Sequence, residues 1–204
     1  MISLLIAMVL LFAVSSFAFG YGVFGETDLM FPPTATTLGQ NNLGISVHMM
    51  QGNLSYFNFD YGLVPDLEMG VALFNYPNDT FISFRGKFRL LREDRSTPGL
   101  AIGVEDLGRN SVSPYLTLSK SITDLGLKGY LGVGGGSFDG LFGGISKTFY
   151  GGQSSVIKQV ELAVEADSHN LNIGTKLGIG SQTKVNFGLV DMQNWIVGVS
   201  FLVK

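Results

Sequence analysis

The 204-residue chain has no cysteine, only two histidines and one tryptophan, and just 14% of it is charged. Without cysteine there are no disulfides and no thiol chemistry. Two histidines with no thiolate partners leave little for a dedicated transition-metal site, so neither metal nor cofactor is expected. Charged residues make up about a quarter of an ordinary soluble domain. This chain, with a mean hydropathy of +0.31, presents few groups for water. A net charge of −3 without any long run of one sign argues against nucleic-acid partners. Long apolar stretches are also scarce. Only "MISLLIAMVLLFAVSSFAFG" at the start approaches the roughly 18 to 20 residues of a membrane helix.

That first segment, residues 1–20, carries no charge and turns to small residues after Val14, which reads as a secretory signal with cleavage after Ala18 or Gly20. Its start lacks the usual Lys or Arg, so an uncleaved anchor is the alternative. Residues 21–42 include Pro32-Pro33 and hardly alternate, and read as an irregular N-terminal arm. From Leu43 to Lys204 the chain alternates apolar and polar residues in about twelve runs, among them 43–51, 54–63, 67–75 and 80–91. Short clusters such as Gly52-Asn53, Val64-Pro65-Asp66 and Ser181-Gln182 separate them. Links this short leave no room for crossovers, so neighbouring strands run antiparallel. The expected fold is all-β: an antiparallel up-and-down transmembrane β-barrel of about twelve strands, in a range of roughly 8 to 14.

The orientation of its two faces is the central question, and "FRGKFRLLR" at 84–92 poses it sharply. Arg85, Lys87 and Arg89 recur at a spacing of two, the period at which strand side chains share a face. The opposite face of that run is Phe84, Gly86, Phe88 and Leu90. Elsewhere the apolar face carries Phe57, Phe59, Met69, Leu162, Val164, Val199 and similar residues, whereas the polar face is rich in Gly, Ser and Asn. A face turned to water is normally dense in Lys and Glu. A crowded barrel interior favours small residues instead, so the apolar face is assigned to lipid and the polar face to the lumen. Each cation of the trio would cost about 2 to 4 kcal/mol on the lipid side near the midplane.

The lumen candidates are therefore Arg85, Lys87, Arg89, Glu161, Glu165, Asp167, Lys128, Lys176, Glu105, Asp60 and His48. Counting strands around the circle places the basic strand nearly opposite Glu161, Glu165 and Asp167, which predicts a transverse field. Inward glycines at 70, 103, 132, 134, 144, 174, 188 and 198 point to open space inside. Outward aromatics near strand ends, Tyr61 and Phe149 at one rim and Trp195 at the other with Tyr76 and Tyr150 beside turns, fit interfacial girdles. An even strand count places both chain ends on the periplasmic side.

With a leader, hairpin-linked alternating strands over nearly all the remaining length and no cysteine, the chain resembles bacterial outer-membrane β-barrel proteins. More specifically, "TLGQNNLG" and "YGLVPDLEMGVAL" are similar to the repeat phrase of YjbH-like barrels associated with exopolysaccharide export. The resemblance implies residence in the outer membrane, contact with its lipid bilayer and handling by the outer-membrane insertion machinery. Many such barrels end on an aromatic residue read by that machinery, whereas here Phe201 stands three places before the end.

No enzymatic signature emerges. His48 faces the lumen and His169 lies in a turn, and neither comes with a recognisable nucleophile and orienting group. "GVGGGSFDG" lacks the G-K-[ST] ending and following helix of a phosphate loop, and reads as a strand entering a hairpin. The expected activity is passage of ions or small polar solutes through a charge-lined lumen. The alternative is a closed or plugged barrel that anchors or completes an envelope or exopolysaccharide-export assembly. In that case the arm would serve as plug or as a tether to a periplasmic partner. Nothing in these patterns encodes an oligomeric state.

Overall fold

A computed structural model describes residues 27–204 except 29, 110, 153, 167 and 168. The twelve strands are β1 (Leu43–Met50), β2 (Leu54–Val64), β3 (Leu67–Tyr76), β4 (Asp79–Leu91), β5 (Gly99–Leu107), β6 (Ser113–Ile122), β7 (Leu127–Gly134), β8 (Gly140–Tyr150), β9 (Ile157–Ala166), β10 (Leu171–Ile179), β11 (Thr183–Val190) and β12 (Asn194–Val203). Each pairs antiparallel with its sequence neighbours, and β1 pairs with β12 to close the barrel. Closure leaves no open strand edge. Two 3-10 turns, Thr123–Leu125 and Gly136–Phe138, interrupt the otherwise all-β pattern. Among the described residues no helix is long and apolar enough to cross a membrane. Residues 1–20, read as a signal, lie outside the described residues.

Both ends of the barrel sheet, Leu43 and Val203, lie at one rim, here called the lower, and face each other in register. The lower rim also carries the turns after β2, β4, β6, β8 and β10. The upper rim carries the turns after the odd-numbered strands.

Large apolar side chains cover the outside. Met49, Phe59, Met69, Phe84, Leu131, Leu162 and Val164 are all exposed, while the residues beside them in sequence point inward and are buried or half-buried. The orientation with apolar side chains outward and polar ones inward is thus the one adopted. Tyr61 and Phe149 lie outward at the lower rim and Trp195 outward at the upper rim, where girdles are expected. Tyr76 departs from that expectation: the alternation along β3 turns its ring inward, where it stacks on Phe81 at 5.4 Å.

The inside is filled. Its lower half is polar, and its upper half holds Met50, Tyr56, Phe74, Tyr115, Tyr130, Phe138, Phe142, Val190 and Ile196 in one apolar cluster. The inward glycines do not leave open space as expected. Most sit beneath a bulky side chain of an adjacent strand, while Gly174 and Gly188 sit beneath Met30 of the arm. Gly132 lies in register between Thr117 and Phe142, and a Cβ there would come within 2.2 Å of the Phe142 ring. Gly198 lies between His48 and Asn186, and its Cβ would come within 1.9 Å of the His48 ring. Alternating small and large positions is how a narrow barrel fits its interior at protein density.

Candidate functional site

The arm is the centre of the site. From Thr27 it runs up into the lumen, reverses near Pro32-Pro33 and returns to the lower rim before entering β1. Glu68, second residue of β3 and so near the lower rim, holds both feet. It accepts from Thr27 Oγ1 at 2.9 Å and from the Leu38 backbone N–H at 2.8 Å. Glu165, near the upper end of β9, holds the top. Its two oxygens accept the consecutive backbone N–H groups of Met30 at 2.6 Å and Phe31 at 3.1 Å. On the way down, Thr117 donates to the Pro33 carbonyl at 3.1 Å and the Ala35 N–H donates to Ser119 Oγ at 2.8 Å. At the rim, Asn41 N–H donates to the Gly62 carbonyl and Gly62 N–H donates to that of Asn42. The loop is also braced internally, because Thr34 Oγ1 donates to the Thr27 carbonyl at 2.7 Å. Met30 and Phe31 belong to the apolar cluster, whose other members come from the wall and its loops. The arm therefore supplies the middle of the upper layer.

The cationic strand meets this arm and its own neighbours. Arg85 donates from Nε at 2.7 Å and Nη2 at 2.5 Å to the carboxylate of Asp60. The pair lies flat across Gly70, which stands in register between them on β3. Lys87 donates to Asp28 Oδ1 and Thr27 Oγ1, each at 2.7 Å, and lies 3.7 Å from Glu68. Both Arg85 and Lys87 are buried. Removing one partner of a buried ion pair costs about 3 to 5 kcal/mol, because the other charge is left uncompensated away from water. A small cavity lined by Asp28, Glu68, Arg85, Lys87, Glu105 and Tyr115 has room for about one water. Arg85 Nη1 and Glu105 Oε2 are buried here without a protein hydrogen-bond partner, which such a water would bridge.

The other candidates are placed as follows. Lys176 donates to the Asp28 carbonyl at 2.5 Å, and Lys128 to Thr36 Oγ1 at 3.0 Å. Glu161 is half-buried, in register with Lys176 across β9 and β10. His48 is buried over Gly198 with its Nε2 3.2 Å from Asn186 Nδ2, a packed group rather than a hydrated wall residue. Asp167 lies outside the described residues. The expected transverse field gives way to local pairing: Arg85 and Lys87 are matched by Asp60, Glu68 and the arm's Asp28, while Glu165 is engaged by main-chain amides. Sequence reading missed Asp28, Glu68 as a clamp and Asp106. The last adopts a left-handed backbone (φ 58) and accepts from Ser113, Ser137 and Arg109, tying the loop after β5 to the loop after β7.

Arg89 stands apart, at the mouth. It and Arg92 clasp Asp66 in the turn between β2 and β3, with Nε to Oδ1 at 2.9 Å in each case. Hydrogen bonds from Arg92 and then Arg89 hold the Asp66 carboxyl down to about 2. A depressed carboxyl stabilises the folded turn fully above its ordinary value near 3.8, and that contribution is lost as pH falls through about 2. A carbon-detected NMR titration of Asp66 in detergent is expected to give a midpoint near 2, and a midpoint near 3.8 would show the clasp absent in solution.

No family model matches the chain, and no curated protein matches it. Solved structures do. The barrel is similar to a structure described as KdgM porin, with a TM-score of 0.57 and 16% identity over 78% of this chain and 98% of the other. It is also similar to KdgM porin in complex with disordered oligogalacturonate, with a TM-score of 0.54 at the same identity and coverage. The chain therefore has a porin-like twelve-stranded barrel fold.

Proposed function

We propose that the protein is an outer-membrane, porin-like channel for ions and small polar solutes, closed by its own arm in the conformation described here. It acts by diffusion and not by catalysis. On this reading residues 1–20 direct export, the outer-membrane insertion machinery places the barrel in the lipid bilayer, and the lumen candidates line the path once the arm leaves. The observation that carries the proposal is the character of the seal. Much of the arm's hold is hydrogen bonding of its main chain, whose N–H groups donate to Glu68, Glu165 and Ser119 and whose Pro33 carbonyl accepts from Thr117, groups that water can satisfy when the segment withdraws. Lumen charges of both signs, Arg85, Lys87, Lys128 and Lys176 beside Asp60, Glu68, Glu105 and Glu165, would then face the path, which suits small ions and polar solutes.

Planar-bilayer recording tests this. Glu68→Gln with Glu165→Gln weakens both latches, and each buried N–H left without an acceptor costs about 1 to 3 kcal/mol. The double variant is expected to open at least ten times more often than the parent. Silence from both proteins, folded and inserted, would overturn the channel. The second reading is a closed anchoring barrel, a subunit of an envelope or exopolysaccharide-export assembly as in the YjbH-like resemblance, tethered through its arm to a periplasmic partner. The filled aromatic upper layer favours it. Co-purification of a defined complex without conductance is its expected result.

A further inference from the structure

The way the wall grips the arm suggests a second role for the lumen. Six arm atoms bonded by wall side chains belong to the main chain: the N–H groups of Met30, Phe31, Ala35 and Leu38 and the carbonyls of Asp28 and Pro33. Five wall residues from four strands supply them: Glu68, Thr117, Ser119, Glu165 and Lys176. Main-chain groups are common to every polypeptide, so this part of the recognition does not require the arm's particular side chains. Selectivity is added at a few points. Lys87 pairs with Asp28. The Met30 thioether occupies the hollow above Gly174 and Gly188, where a Cβ would come within 1.9 and 2.1 Å of it. Pro32 and Pro33 pre-set the backbone where the segment reverses, which lowers the entropy cost of ordering it.

The topology of the bound segment matters as much as its contacts. Its two feet, Thr27 and Leu38, meet the same carboxylate oxygen of Glu68, at 2.9 and 2.8 Å. A segment bound this way enters and leaves through one mouth, so a loop can insert without threading a free end.

We propose that the lumen is a receptor for an extended, proline-bent polypeptide loop entering from the rim that bears the barrel's ends, and that the arm is its resident, exchangeable occupant. The ligand class is an acid, a Met two residues on, and a Pro-Pro pair four and five residues on, as in "TDLMFPPTATTL" at 27–38. A partner polypeptide carrying that spacing would occupy the lumen in place of the arm. This inference rests on how the arm is docked, not on conduction: a barrel that takes up such a segment yet never conducts removes the channel alone.

The full chain, with a protease site inserted after the exposed Gln40, is folded in detergent and only then cut, so that the arm becomes a separate ligand of an already closed barrel. A fluorescent peptide of residues 27–38 is expected to enter the cut protein, with excess unlabelled peptide displacing both it and the resident arm. Methylating the backbone nitrogens of Met30 and Phe31 in the peptide leaves its side chains unchanged but removes both N–H groups facing Glu165. That change should weaken uptake at least tenfold, and Glu165→Gln in the barrel should do the same to the unmodified peptide. Equal uptake of methylated and unmethylated peptide would overturn main-chain recognition. No uptake by a barrel shown to be folded and arm-free, or an arm that stays through the chase, would overturn exchange.

Discussion

Gly62→Ala should unseat the arm while leaving the barrel intact. A Cβ at residue 62 would lie 2.1 Å from the Gly39 carbonyl oxygen, 2.8 Å from its carbon and 3.1 Å from the Leu38 carbonyl oxygen. All three are main-chain atoms of the arm, so no rotamer change relieves the contact. The pair of hydrogen bonds between Gly62 and the 41–42 backbone is broken as the foot moves away. Overpacking of this kind costs about 1 to 3 kcal/mol, which raises the undocked population roughly 5- to 150-fold. Limited proteolysis within 27–42 is expected to accelerate by that factor. The unheated protein should still migrate on a gel as a folded barrel. Unchanged cleavage would mean that the arm does not cross β2 where the structure places it.

Gly132→Val is expected to damage the barrel itself. The added Cβ would stand 2.2 and 2.4 Å from two Phe142 ring atoms and 2.8 Å from the Leu116 carbonyl oxygen, a wall backbone atom that cannot turn aside. Phe142 is itself boxed in by Phe138, with ring centroids 5.4 Å apart. The cost should reach about 3 kcal/mol, the upper end for an overpacked core. A urea titration of the folded gel band should show the midpoint falling markedly. A valine tolerated there would mean that the upper lumen has slack and that Phe142 does not need the space over Gly132.

These two glycines show where sequence reading reached and where it stopped. The alternation of Arg85, Lys87 and Arg89 with Phe84, Phe88 and Leu90 was enough to place cations inside and rings outside, because the period of a strand is a local property. Inward glycines were legible as inward for the same reason. That they lie under Phe142, His48 and the Arg85–Asp60 pair was not, because neighbours across strands depend on register. The register was readable in principle from the short turns, since Gly70 stands in line with Asp60 and Arg85 once two hairpins are aligned. The contact between Glu165 and the arm had no such signal. It joins residues 135 positions apart through main-chain amides that no residue type announces.

The sequence by itself determined that this chain forms a closed antiparallel barrel with an apolar exterior, since alternation and turn chemistry act over a few residues and leave one arrangement compatible with lipid. Only the tertiary structure decided that the interior is occupied, which charges pair, and that residues 27–42 run up and back through the lumen. Those outcomes depend on packing volume and on distant partners competing for the same buried carboxylates.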